Sequence, residues 1–268
     1  MSALVLTALF LVMVLVMNAA WVAQRAVGDS GWIDVFWTFG TGAVGVAAAL
    51  LPYAALDGPS ARQGLVAAIV ALWSARLGGY IAVRVAKAEG EDARYRHFRD
   101  IWGQDYQATL YRFVMPQAAV TAILCVSIHV ASHRTAPGLD PRDIAGALVL
   151  LIAIGGEALA DRQLARFKAT NRTKGAICDT GLWRWSRHPN YFFEWFGWLA
   201  YPVIALEPAV PVTWLTLLAP AVMYGVLRYL TGVKPLEETM IASRGDAYRR
   251  YQARTSAFIP LPPQGDRP

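Results

Sequence analysis

Ala3-Leu4-Val5-Leu6-Thr7-Ala8-Leu9-Phe10-Leu11-Val12-Met13-Val14-Leu15-Val16-Met17-Asn18-Ala19-Ala20-Trp21-Val22-Ala23 contains no charged side chain, and about 20 such residues in a helix reach across the hydrocarbon core of a bilayer. Further apolar segments follow at approximately Trp32 to Tyr53, Gly64 to Val83, Phe113 to Ala131, Ile144 to Ala160, Phe192 to Leu206 and Pro211 to Leu227. The sixth of these seven is short and holds Pro202. With 56% hydrophobic and only 16% charged residues, the chain is more apolar than one soluble core requires. The expected class is all-α, an integral multi-pass membrane bundle of about seven transmembrane helices. No basic residue precedes the first span, so it reads as retained rather than as a cleaved signal.

Seven spans divide the loops between two sides. Only Arg62, Arg134 and Arg142 fall on one, whereas nearly all other Lys and Arg residues fall on the other together with the C-terminus. Because cytoplasmic loops carry the basic excess, the C-terminus is expected in the cytoplasm, in a bacterial inner membrane. The net charge of +6 therefore reads as an orientation signal in contact with membrane lipids, and nucleic acid is not an expected partner. Cys125 and Cys178 lie in different environments, and His97, His129, His133 and His188 are scattered, so neither a disulfide framework nor a metal site is expected.

No internal repeat stands out, and short turns such as Asp57-Gly58-Pro59 are the main Pro/Gly punctuation. Residues 1–268 read as one membrane domain, with 1–112 as a substrate-side half and 113–268 as a cofactor-binding half. The loop from Arg84 to Arg112 spaces Tyr95, Phe98, Trp102, Tyr106 and Tyr111 near three or four residues apart, which predicts a helix at the membrane surface.

Ionisable groups at membrane depth are unfavourable and face a bundle interior or a wet cavity. Asp34, Arg76, Glu157, Asp161 and Glu194 lie in or beside spans. Asp34 sits near a span start, where an interfacial acid is the plainer reading, and Arg76 has Tyr80 on the same face four residues on. Glu157, Asp161 and Lys168 fall near one helical stripe.

A polar turn from Asn171 to Lys174, then Asp179-Thr180-Gly181, leads into Gly181-Leu182-Trp183-Arg184-Trp185-Ser186-Arg187-His188-Pro189-Asn190-Tyr191-Phe192-Phe193-Glu194. Pro189 suits the first turn of a helix and disfavours helix at His188. Arg187 offers a planar cation for phosphate, Asn190 donors and an acceptor, Tyr191 an aromatic face, and Glu194 an acceptor for ribose hydroxyls or an amide. Together they suit a large anionic nucleotide, and no GxGxxG in a strand-turn-helix context offers a Rossmann alternative.

The Ser186-Arg187-His188-Pro189-Asn190-Tyr191 run with Glu194, the preceding Gly181-Leu182-Trp183, and Tyr248-Arg249-Arg250-Tyr251-Gln252-Ala253-Arg254 before Phe258-Ile259-Pro260 resemble the C-terminal half of membrane steroid 5α-reductases and their bacterial relatives. The resemblance runs from Glu157 to about Pro262. It implies a seven-helix bundle that takes NADPH from the cytoplasmic side and reduces an activated carbon-carbon double bond in a lipid-like enone, possibly a 4-ene-3-keto steroid. It further implies cofactor contacts from Glu157, Asp161, Lys168, Arg187, His188, Asn190, Tyr191, Glu194, Trp198, Tyr201, Tyr251 and Arg254. The steroid enzymes hold the substrate ketone with a Gln-Glu pair and a Tyr in the N-terminal half. No Gln-Glu pair occurs here, and Asp34 with Tyr80 is the nearest substitute. Tyr80 is then the expected hydrogen-bond donor to the growing oxyanion, Asp34 its orienting partner and Arg76 an alternative electrophile.

Two other classes stay open. The Arg-His-Pro-x-Tyr core also resembles isoprenylcysteine and phospholipid-type methyltransferases that use S-adenosylmethionine, and Glu237-Glu238 resembles acidic pairs in their tails. A non-enzymatic transporter or scaffold is the third, although inverted repeats are not evident.

Overall fold

A computed structural model of the chain describes residues 1–51, 59–88, 90–171, 173 and 175–265. Tyr53, most of the Asp57-Gly58-Pro59 turn, and Arg172 and Lys174 of the Asn171 to Lys174 turn lie outside the described residues. Twelve α-helices and no β-strand occur among the described residues. They are α1 (Ala3–Val27), α2 (Trp32–Leu50), α3 (Ala61–Ala86), α4 (Ala93–Trp102), α5 (Tyr106–Val114), α6 (Pro116–Ser132), α7 (Pro141–Thr170), α8 (Pro189–Gly197), α9 (Ala200–Ala205), α10 (Leu218–Gly225), α11 (Val233–Arg244) and α12 (Asp246–Arg254).

Six helical stretches among the described residues are long and apolar enough to cross a membrane: Ala3–Val27, Trp32–Leu50, Ala61–Ala86, Ala93–Ser132, Pro141–Thr170 and Pro211–Arg244. The protein is a multi-pass, all-α membrane protein. The span expected over Phe192 to Leu206 is instead two short helices, α8 and α9, parted at Trp198 and Leu199. Pro202 explains the break. It has no N–H for the carbonyl of Trp198, and its ring crowds that carbonyl.

The chain forms two compact units, Met1–Leu148 with Leu199–Ala219, and Val149–Trp198 with Pro220–Pro268. This division differs from the expected halves meeting at residue 112, because α6 belongs with α1 to α3. The helix period alone does not report which helices pack together.

In the first unit α2 is the hub, packing against α1, α3 and α6. Its small residues permit the close approach that drives helix association in lipid. A Cβ at Gly40 would lie 2.8 Å from Val16 of α1, and one at Gly42 would overlap the Ser74 side chain of α3. Ser74 Oγ donates to the Thr38 carbonyl at 3.1 Å, and the Thr41 and Thr121 hydroxyls meet at 2.9 Å to join α2 to α6. At one end of this unit Arg62, 3% exposed, directs all five of its N–H groups at protein acceptors. They are both oxygens of Asp143 and the carbonyls of Arg134, Ala136 and Gly138. Arg134 bonds Asp140 and Asp143, and Arg142 bonds Glu207.

Helix between Arg84 and Arg112 is present as α4 and the start of α5, within the Ala93–Ser132 stretch, and its aromatics pack on one another. Phe98 stacks on Trp102 at 4.8 Å and meets Phe113 edge-on at 5.3 Å.

The second unit is built on residues 149–170 of α7. Gly156 leaves room for the Phe193 ring of α8, and the Trp183 indole N–H bonds the Ala160 carbonyl at 3.0 Å. The tail returns to the loop before α8. Arg187 N–H donates to the Ser256 carbonyl at 2.8 Å, Leu261 N–H to that of Trp185 at 3.0 Å, and Ser186 Oγ to that of Phe258 at 2.8 Å.

Candidate functional site

In the second unit, Pro189 opens α8 as its sequence position predicts, with His188 in a non-helical conformation before it. One turn of helix separates Asn190 from Glu194, as one turn separates Glu157 from Asp161 on α7. The Asn190 amide donates to Asp161 Oδ1 at 3.3 Å, joining the two helices, and its oxygen receives the Tyr191 N–H at 3.1 Å. The indole N–H of Trp198 donates to Glu194 Oε1 at 3.1 Å. Glu157, Asp161 and Glu194 are 5%, 4% and 6% exposed, so three carboxyl groups are buried in this unit. Lys168, in the last turn of α7, is exposed. The His188 ring stacks parallel to Tyr191 at 5.7 Å.

Arg187 requires a correction. Sequence position suggests a cation facing phosphate, but its guanidinium forks onto Glu237 of α11, at 2.7 Å from Nε and 3.1 Å from Nη2. Nη1 donates to the carbonyls of Gln252 and Thr255, so four of its five N–H groups serve as a clamp between the loop and the tail. His188 Nε2 and Gln252 Nε2 complete the shell of Glu237 at 3.1 and 2.8 Å. His188 is 2% exposed, its Nδ1 has no hydrogen-bond partner, and burial pulls its pKa below the ordinary imidazole value. Tyr251, matched to a cofactor contact by resemblance, donates its hydroxyl to the Trp183 carbonyl inside the fold, and burial pushes that phenol well above its usual range. Arg254 pairs with Asp179 at the surface. Tyr201 falls in α9 of the first unit and is 2% exposed.

In the first unit the tyrosine that donates to Asp34 Oδ1 is Tyr95 of α4, at 3.0 Å, and Arg94 donates to Oδ2 at 2.7 Å. Tyr80 was the residue expected to be oriented by that carboxylate. Its ring faces the guanidinium groups of Arg76 and Arg84, at 5.4 and 6.0 Å. Asp92 shares Arg94 with Asp34. Burial opposes the charge on Asp92, but Arg94 and Arg84 outweigh it and bring its pKa to about 2.

Residues 20–255 match the family described as "Protein of unknown function (DUF1295)". The chain belongs to this family. The DUF1295 match begins inside α1 and ends at Thr255, so it contains the buried carboxyl groups, the Arg187 clamp and the Asp34 cluster. A relative, the uncharacterized protein C594.04c of Schizosaccharomyces pombe (strain 972 / ATCC 24843), is 35% identical over 82 residues, which is 30% of this chain and 23% of that protein. No solved structure matches. Among the described residues, no cluster of three metal-ligating side chains is found.

The sequence pattern named no partner for Glu237, Gln252, Arg94 or Tyr95. Glu237, ten residues past the apolar Pro211 to Leu227 run, is the acid that the largely buried Arg187 requires. Tyr95 carried a signal too, since a tyrosine among interfacial aromatics that also lies beside Arg94 and Asp92 has polar partners at hand.

Proposed function

We propose that this protein is an NADPH-dependent reductase of an activated carbon-carbon double bond in a lipid-soluble enone, with the 4-ene-3-keto steroids as the first substrate class to test. The observation that carries the reading is the buried set of Glu157, Asp161 and Glu194, with the half-buried Asn190 bonded to Asp161. Three carboxyl groups are held away from water at a cost that a packing role alone does not require, and such groups in membrane proteins mark functional sites. Their chemistry fits the hydroxyl and carboxamide ends of a nicotinamide nucleotide. Asp161 and Glu194 accept from ribose hydroxyls or the carboxamide, Asn190 can donate and accept at once, and Phe193 with Trp198 excludes water.

When bound, NADPH supplies a hydride to the β-carbon of the enone. Negative charge then grows on the carbonyl oxygen, and a positioned hydroxyl stabilises it before a proton completes the saturated ketone. Tyr80, beside the Arg76 guanidinium, is our candidate for that donor, since Tyr95 already gives its single hydroxyl proton to Asp34. The basic excess of the loops on its side supports a cofactor site that faces the cytoplasm.

A methyltransferase reading is favoured by one observation. With Arg187 committed to Glu237, the buried set is rich in acids, which also suits the cationic sulfonium of S-adenosylmethionine. Purified protein in detergent, titrated with each compound while thermal unfolding is followed, separates the two, since a ligand of the native state stabilises it. NADPH raises the melting temperature and Asn190→Ala abolishes the rise with the fold retained. Stabilisation by S-adenosylmethionine and not by NADPH sinks the reductase reading.

A further inference from the structure

A cavity of about 480 Å³ opens in the second unit between the turn before α8 and the returning tail, lined by Asp179, Thr180, Gly181, Arg184, Arg254 and Gln264 among others. Two guanidinium groups face it. Arg254 is paired with Asp179, each about two-fifths exposed at 40% and 39%. Arg184 is exposed and makes no ion pair among the described residues. The lining carries one net positive charge, hydroxyl groups from Thr180 and Thr255, and the Gln264 amide. The tail wall is fixed in place, because Gln264 N–H donates to the Arg254 carbonyl at 2.8 Å.

We propose that this cavity is a phosphomonoester subsite, and, resting on the reductase reading, that it takes the 2′-phosphate of NADPH. A phosphomonoester is close to a dianion at neutral pH and presents three acceptor oxygens, which match the planar donor forks of arginine. The free fork is that of Arg184, and Arg254 can share its fork between Asp179 and the ligand. Asp179 tempers the site, since its carboxylate repels the same dianion that Arg184 attracts. The cofactor preference is therefore set by the balance of these three side chains, and removing Asp179's charge shifts it toward the phosphorylated nucleotide.

The test measures the binding of NADPH, NADH, adenosine 2′-monophosphate and adenosine to the full chain in detergent. Wild type prefers NADPH to NADH. Arg184→Ala, an exposed position that leaves folding intact, weakens NADPH about tenfold and leaves NADH unchanged. Asp179→Asn moves the ratio the other way. Equal affinity for NADPH and NADH, or a ratio unmoved by Arg184→Ala, overturns the subsite and leaves the reductase reading standing. Binding of adenosine 2′-monophosphate that depends on Arg184, with no binding of either dinucleotide, supports the subsite and overturns the reductase reading. Arg184-dependent binding of phosphatidate in mixed micelles without binding of adenosine 2′-monophosphate assigns the phosphate to a lipid and overturns the nucleotide assignment. No binding by any of these probes overturns both.

Discussion

Both carboxylate oxygens of Glu237 meet the guanidinium of Arg187, at 2.7 and 3.1 Å, with the arginine side chain 9% exposed and the glutamate 14%. The pair ties α11 to the loop that carries His188 into α8, and Arg187 Nη1 adds the end of α12 through the Gln252 and Thr255 carbonyls. A residue whose type suggests ligand binding thus holds together the segments around the candidate site.

Removing one member of a largely buried ion pair leaves the other charge without its partner, which costs about 3–5 kcal/mol. Glu237→Ala is therefore expected to lower the unfolding midpoint in detergent strongly, with Glu237→Gln intermediate because it keeps one acceptor. A double-mutant cycle with Arg187→Ala checks the coupling. Independent, additive losses would show that the fork contributes nothing to stability.

His188 gives the stability a pH dependence of definite sign. Burial lowers its pKa in the folded protein, Glu237 partly offsets this, and Arg187 and Arg228 add to the lowering. The folded state keeps the ring neutral, with Nε2 toward Glu237, whereas the unfolded chain binds a proton near the ordinary value of 6.5. The contribution is fully present above that value and is lost as pH falls toward and through the folded-state pKa. Melting temperature should drop on acidification below about pH 6.5, and His188→Gln, which retains a donor toward Glu237, should flatten that drop. An unchanged slope in the variant would assign the drop to other groups.

Much of the architecture is legible because apolar length and helix period are local properties. The break at Pro202 was the exception, where a missing N–H turned one expected span into two short helices. Asn190, Asp161 and Glu194 were also legible, since costly polar groups beside apolar runs stand out by type. Partner choice was not. Glu237 lies 50 residues from Arg187, and Tyr95 lies 61 residues from Asp34. No periodicity reports contacts at such separations. The charge division set Arg62, Arg134 and Arg142 apart from the other cations, yet gave no sign that each would be paired with an acid.

Gly42 offers a test of the α2 hub. A Cβ there would overlap Ser74, whose hydroxyl is bound to the Thr38 carbonyl. Gly42→Val forces the helices apart and should destabilise the protein by about 2–3 kcal/mol. Gly64→Ala, at a position where nothing lies within 4 Å of a Cβ, is the control and should be neutral or slightly stabilising. Equal effects from the two would mean that α2 and α3 are not packed as closely as described.

The Asp34 cluster separates anchoring from chemistry. Tyr95 is 3% exposed and donates to Asp34, so Tyr95→Phe removes one hydrogen bond to a charged group, a loss of about 1.5–3 kcal/mol in stability. The single hydroxyl proton of Tyr95 is already given to Asp34, so Tyr95→Phe should leave kcat on an enone nearly unchanged. Tyr80→Phe, which removes the proposed oxyanion donor, should lower kcat about a hundredfold. KM changes little, because the interaction strengthens only as charge develops. The reverse pattern, with kcat lost in Tyr95→Phe and kept in Tyr80→Phe, would remove Tyr80 from the donor role.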